Sequence, residues 1–534
     1  MNKTCKNCQQ SFEITTDDQV FYAKIGVQDP RMCPQCRAQR RLAFRNERSF
    51  YKRPCDKCKK DVVSMYSPNK PYAVWCYECW FADDWDPVDY GQEYDPSRPF
   101  FEQFGELWNK VPKINLIGLR NVDSSYLNIS ADNKNCYMLI ESSNNEDCIN
   151  CYWIQVTKDC ADCSFTHKCE LCYEVDDGYD SYKVLYSKGV DACRESYFLF
   201  DCRNCSNCIG CSNLRNKQYC IFNEQVTKEQ YEQFLNEAKL DTYEGVENLR
   251  GRFEEFKAKQ PHRYSEITNA PGSTGCYIYN AKNCTSCFHT YEAEDCRYAV
   301  HAWREAKECV DSDTTGRGAE LIYNSTNTGL KGSNCVCCSL CWGNGFLTYC
   351  TYCYDCQDCF GSTGLRKKQY CILNKQYTKE EYEKLKAQII EDMKREGVYG
   401  EFFPQSLSIF GYNESCVQEQ FPSTKEQAVT QGFKWEDTER GTYGKENGKD
   451  IFACTQCKKN FRIIPREFEF YQRLSIPLPR LCPECRHLRR FTARGPNRLW
   501  KRHCAKCNAE FETNYTPDRK EIIYCESCYN AEII

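Results

Sequence analysis

CRNCSNCIGC at residues 202–211 puts a cysteine at every third position, and CTYCYDCQDC at residues 350–359 does the same. A run of this kind can ligate an iron–sulfur cluster through its CxxCxxC spacing, hold additional zinc, or line the inside of a folded coil with small thiols. The Cys-Pro that closes iron–sulfur runs is missing, and strand-forming residues surround both segments. A free cysteine behaves as a compact apolar residue, so thiols stacked inside narrow coils are the preferred reading. Additional zinc comes second, and an iron–sulfur cluster is the least favoured.

The neighbouring sequence extends that reading. Short β-type segments such as CYMLI (136–140), CYWIQV (151–156) and YCIFN (219–223) are matched further on by CYIYN (276–280), CFHTYE (287–292) and YCILN (370–374). Many starts recur every nine to fifteen residues, separated by Asn, Asp, Lys, Gly and Cys turns. Short rungs at such spacing suggest a parallel β-solenoid in which each coil packs on its neighbours; a meandering antiparallel sheet is the competing fold. The segment is also duplicated. CSNLRNKQYCIFNEQVTKEQYEQF (211–234) answers GLRKKQYCILNKQYTKEEYEKL (364–385), with Cys220 and Cys371 separated by 151 positions. Each copy ends in a helix opened by a capping box, Thr227 with Gln230 and Thr378 with Glu381. The expected inner faces are Tyr231, Phe234, Leu235 and Ala238, and Tyr382, Leu385 and Ile389. Two lobes follow, at 113–262 and 263–400, each closed by a helical cap that protects its edge.

Cysteine totals 44 in 534 residues. No apolar run is long enough to span a bilayer and the first residues lack a secretory core, so a reducing cytoplasmic setting is expected, where thiols serve metals or cores rather than disulfides. The terminal cysteines come in pairs: Cys5, Cys8, Cys33 and Cys36; then Cys55, Cys58, Cys76 and Cys79; then Cys454, Cys457, Cys482 and Cys485; and last Cys504, Cys507, Cys525 and Cys528. Every member of the second half is shifted by 449 from the first. Paired CxxC units of this kind supply the four thiolates of a tetrahedral structural zinc, so four zinc ions are expected.

RMCPQCRAQRR (31–41) and RLCPECRHLRR (480–490) close the first and third of these sets. Each is preceded by CxxC, by Phe12 or Phe461, and by an internal Phe-Tyr pair. These stretches resemble the treble-clef zinc-binding domain family, which implies a knuckle giving two ligands and a first helical turn giving the other two, with Pro34 and Pro483 in that turn. The second and fourth sets, around a YSP (66–68) or YTP (515–517) turn, read as zinc ribbons. Taken whole, YKRPC, SMYSPNKPY, DDWDPVDYG, RPFFEQF and LRNKQYCIFNEQ make the chain resemble a cysteine-rich zinc-ribbon family of candidate-phyla-radiation bacteria, a family that brings no established activity. The resulting order is treble clef 1–50, ribbon 51–82, acidic linker with a short helix 83–112, the two lobes, a partly mobile connector 401–450, treble clef 451–498 and ribbon 499–534. The class is mainly β.

Net charge is only −4, but it is segregated: residues 31–60 and 480–506 together carry +17, leaving −21 elsewhere. Arg37, Arg41 and Arg45, like Arg486, Arg490 and Arg494, recur at i, i+4, i+8 and form one stripe on a helix. Such stripes suit phosphate backbones; equally, they can pair with the acidic middle of the same chain. Asp311 and Asp313 in DSDTTGRG match a phosphatase-type DxDxT pattern without the hydrophobic strand it needs, and His167, His289 and His301 lie among strand residues with no nucleophile at a recognisable spacing. The expectation is a non-enzymatic zinc protein that grips RNA, DNA or a ribonucleoprotein, with no membrane association. A structural or protein-interaction scaffold is the alternative, and an enzyme using the groove between lobes comes third. The oligomeric state is not readable.

Overall fold

The computed structural model describes residues 1–343 and 345–533, a strand-rich chain with twelve α-helices among those residues. In the first lobe the strands Tyr137–Ile140, Ile149–Gln155, Ser164–His167, Asp176–Tyr179, Lys188–Asp191 and Phe200–Arg203 pair in chain order, all parallel. Their register is constant: Tyr137 faces Ile149, Ser164 faces Asp176, Asp176 faces Lys188 and Lys188 faces Phe200, a step of 12 residues each time. A second ladder, running from Tyr182–Leu185 to Gln218–Ile221, climbs beside it by the same step. In the second lobe the step is 12 residues where Phe288 faces Val300 or Gln357 faces Gln369, and 13 where Lys307 faces Glu320. Pairing becomes antiparallel only at the last rungs, where Glu224–Gln225 and Lys375–Gln376 fold back on the preceding strand.

The backbone explains the three-residue spacing of the cysteines. Asn204, Asn207, Gly210, Asn213 and Asn216 all have φ between +49° and +67°, and the same left-handed residue recurs at every third position along most of both lobes. That conformation costs an ordinary L-residue about 1–2 kcal/mol, and Asn, Asp and Gly tolerate it best, which accounts for their frequency just before each cysteine. The chain therefore bends every third residue, and the residue after each bend turns inward. Cys202, Cys205, Cys208 and Cys211 are at most 1% exposed. Inside, the thiols hydrogen-bond to main chain: Cys208 Sγ donates to Ser206 O at 3.3 Å, and Cys151 Sγ accepts from Cys163 N at 3.4 Å, one 12-residue step away. Ser196 occupies the same kind of position, its hydroxyl donating to Arg194 O and accepting from Cys208 N.

Each lobe thus has a narrow interior of cysteine and small aliphatic residues, while its outer face packs on other elements. Both capping boxes form. Tyr231, Tyr382 and Ile389 are buried, with Tyr231 against Tyr219 and Tyr382 against Tyr370 on the last rungs; Phe234, Leu235, Ala238 and Leu385 are half-buried. The helix Phe100–Lys110 seats Phe100 on Tyr349 and Phe360 of the second lobe, and stacks Trp108 on Phe44. Much of the expected mobile connector is packed instead: Phe402, Phe403, Ile409, Phe410, Tyr412 and Val417 lie in the same aromatic core. Their large apolar rings, spread through a segment without periodicity, made it resemble a linker.

Candidate metal centres and their arginine docks

The sixteen paired cysteines gather into four groups. Within each, the four Sγ atoms lie within 4.8 Å of one another. Sulfurs about 2.3 Å from a tetrahedral zinc sit about 3.8 Å apart, and the inter-pair contacts Cys8–Cys33, Cys58–Cys76, Cys457–Cys482 and Cys507–Cys525 measure 3.8, 3.7, 3.7 and 3.6 Å. The residues present fit such an ion. Local backbone builds each group: the residue after the second cysteine of each leading pair, Gln9, Lys59, Lys458 or Asn508, is left-handed, which folds a tight knuckle back toward its hairpin. The leading cysteine then accepts a hydrogen bond from the N–H of the facing pair, as in Cys33 N to Cys5 Sγ at 3.3 Å and Cys482 N to Cys454 Sγ at 3.3 Å. Burial raises the thiols of Cys55, Cys454 and Cys504, but backbone N–H donors from both pairs outweigh it and bring each to about 6. These are sulfurs disposed to be thiolates.

In the first and third groups the trailing pair opens a helix, Pro34–Leu42 or Pro483–Arg494, with Cys33 or Cys482 as N-cap and proline in the first turn. In the second and fourth, a hairpin is followed by a strand that leaves it. Val74–Trp75 pairs with Lys113–Ile114, and Ile522–Tyr524 pairs with Pro261–Arg263, so each ribbon is tied to the strand that leads into a lobe.

The six arginines do not face solvent. Arg37, Arg41, Arg45, Arg486, Arg490 and Arg494 are 1–7% exposed, and the expectation that they contact nucleic acid fails for that reason: carboxylates of the lobes already occupy them. Arg37 meets Asp311 at 2.8 Å and Arg41 meets Asp313 at 2.8 Å. Arg486 meets Asp162 at 2.7 Å, Arg490 meets the same carboxylate at 3.4 Å, and Arg494 meets Asp176 at 2.8 Å. Arg45 lies past the end of its helix and pairs with Glu47 and Glu141. Burial opposes the charge on Arg37 and Arg486; Asp311 in the one case, Asp162 and Glu467 in the other, outweigh it, so both guanidiniums stay protonated. Burial would likewise raise Glu174, but Arg250 and Arg489 hold it at about 2.

Aromatic pairs complete the docks. Phe21 and Tyr22 pack edge-on against Tyr323, while Phe470 and Tyr471 pack against Tyr173. The N-terminal head therefore sits on the second lobe and the C-terminal head on the first. The third arginine of each stripe reaches both lobes: Arg45 bonds Glu141 of the first and Thr314 of the second, and Arg494 bonds Asp176 of the first while lying between the Phe165 and Tyr277 rings, 3.9 and 3.8 Å from their centroids.

Asp311 and Asp313, which had looked like a stray phosphatase motif, are thus dock residues. The sequence did carry a signal for their partner: Asp162 precedes Asp311 by 149 positions, close to the offset that relates the two lobes. His289 stacks on Phe165, His301 packs tilted against Trp153, and His167 stacks on Tyr179, all as packed aromatic residues. A family model described as "Probable treble clef domain" matches residues 1–45. No curated protein matches the chain. Among the described residues, no helix is long and apolar enough to cross a membrane.

Proposed function

We propose that the protein is a non-catalytic scaffold braced by four structural zinc ions, in which two treble-clef heads clamp two β-solenoid lobes. The observation that carries this reading is the internal use of both arginine stripes on lobe carboxylates. Zinc is favoured over harder cations because all four donor sets are four cysteine sulfurs with tetrahedral spacing. The 12- to 13-residue register and the left-handed bend at every third residue along most of both lobes support reading each ladder as a solenoid whose coils enclose the inward thiols. Nucleic-acid binding would have to rest on exposed knuckle residues such as Lys6, Lys59 and Lys60 rather than on the arginines.

Two measurements on the purified full chain test the proposal. Elemental analysis is expected to return four zinc ions per chain, and titration with mixed-sequence RNA and DNA is expected to show no association with the steep salt slope of counterion release. A tight complex whose affinity falls steeply with salt would overturn the scaffold reading in favour of nucleic-acid binding.

A further inference from the structure

The lobes do not close on each other everywhere. Between them lies a cavity of about 370 Å³, within the range of small-molecule sites, about 300–1,000 Å³. Its walls are aromatic and follow the coil repeat. On the first lobe His167 stacks on Tyr179, one rung further, at 5.3 Å and 18°. On the second, Tyr291 lies over Trp303 at 5.4 Å and 31°. The two walls meet at the base, where Trp153 contacts Trp303 at 5.6 Å. Tyr179 is 43% exposed, the most open of the rings in a cavity otherwise lined by buried and half-buried ones.

The polar lining is incomplete. Thr268 Oγ1 and His167 Nδ1 line the cavity, and neither has a hydrogen-bond partner. Burial lowers His167 to about 4, so that ring is neutral near pH 7. Buried hydroxyls and ring nitrogens left unpaired are costly, and a ligand carrying both donors and acceptors would satisfy them. Charge narrows the choice. Four carboxylates (Asp177, Asp191, Asp201 and Glu266) and three guanidiniums (Arg203, Arg304 and Arg494) line the cavity, so a polyphosphate meets carboxylates and a polycation meets arginines. An uncharged ligand with flat apolar faces and many hydroxyls meets neither penalty.

We propose that this cleft between the lobes is a binding site for a neutral oligosaccharide, whose sugar faces stack on the Tyr179 and Trp303 rungs and whose hydroxyls engage Thr268 and His167. The proposal goes beyond the scaffold reading and does not depend on it.

Calorimetric titration of the zinc-loaded full chain with cellotriose, maltotriose and triacetylchitotriose at millimolar concentration tests it. At least one is expected to bind. Tyr179→Ala should weaken that binding about tenfold, and Thr268→Val, which keeps the side-chain shape, should weaken it by a few-fold. Both variants should keep the parent's zinc content and melting temperature, since Tyr179 is exposed and the Thr268 hydroxyl bonds nothing in the fold. Tyr443→Ala, 49% exposed and outside the cavity, should bind as the parent does. Absence of binding by all three sugars, binding unchanged by Tyr179→Ala, or binding of a thymidine decamer or of oligolysine that Tyr179→Ala abolishes, would each overturn the proposal.

Discussion

Cysteine serves two purposes in this chain, and the backbone around each residue decides which. After a knuckle such as Cys454–Cys457, a single left-handed residue reverses the chain and two pairs of sulfurs converge. Within the lobes, left-handed residues recur every third position, so successive sulfurs turn inward one rung at a time and bond to carbonyl oxygens instead of to a common centre. Cys193 is typical: its Sγ contacts Asp191 O at 3.5 Å and Cys202 O at 3.3 Å, and its N–H donates to the Ser181 hydroxyl one step below. A serine there finds the same partners, so Cys193→Ser is expected to cost no more than about 1 kcal/mol in urea denaturation. Cys457→Ser should instead lower the zinc content by one ion per chain and unfold the C-terminal head, seen as lost hydrogen-exchange protection across residues 451–494, because binding energy of about 10–16 kcal/mol is at stake in such a site.

At the level of elements, the helix that supplies two thiolates also supplies the docking face. Cys485 is followed directly by Arg486, and the next two turns bring Arg490 and Arg494 to the same side, so metal binding and docking are coupled through one rigid helix. A buried ion pair is poor evidence of net stability, but removing one partner strands the other charge. Asp162 has no exposed surface, and it faces both Arg486 and Arg490. Asp162→Asn is therefore expected to destabilise the chain by about 3–5 kcal/mol. Arg486→Met in the same background should recover part of that loss, and a double-mutant cycle in guanidinium checks it. A loss in the double variant equal to the sum of the two single losses would mean that the pair is not coupled. These elements were legible to different degrees. The capping boxes and the helix starts at Pro34 and Pro483 carry local chemistry, whereas the strand Ile522–Tyr524 finds its partner 261 positions away from Ile522 at Pro261, a choice no local pattern records.

At the scale of the whole molecule, each four-cysteine head sits on the lobe more distant in the chain and reaches the other through its last arginine. The C-terminal junction collects Asp176 and Lys188 from the first lobe, Tyr277 from the second, and Arg494 with the carbonyl of Ala493 from the head. Lys188 is held down there to about 8: burial lowers it first, Asp176 raises it and Arg494 lowers it again. Between about pH 8 and its ordinary 10.5, the unfolded chain binds more protons at this position than the folded one, so its contribution to stability rises with pH across that window. Lys188→Met is expected to gain on the parent by about 2 kcal/mol below pH 8, discounted for the 24% of the side chain that remains exposed. The advantage should vanish as pH approaches 10.5. Melting temperatures of both proteins measured from pH 7 to 10.5 check this; a constant difference would place Lys188 outside the junction's charge balance.

The amino-acid sequence by itself determined the four cysteine groups, the capped helices and the inward thiol runs, because each rests on spacing within a few dozen residues. It also held the arginine stripes, but not their destination. Whether a guanidinium meets solvent, a phosphate or a carboxylate depends on which surface lies opposite, and that surface comes from residues about 100 to 330 positions away. Only the tertiary structure, by seating each head on the remote lobe, decided that the positive charge is spent within the molecule and that an aromatic cleft stays open between the lobes.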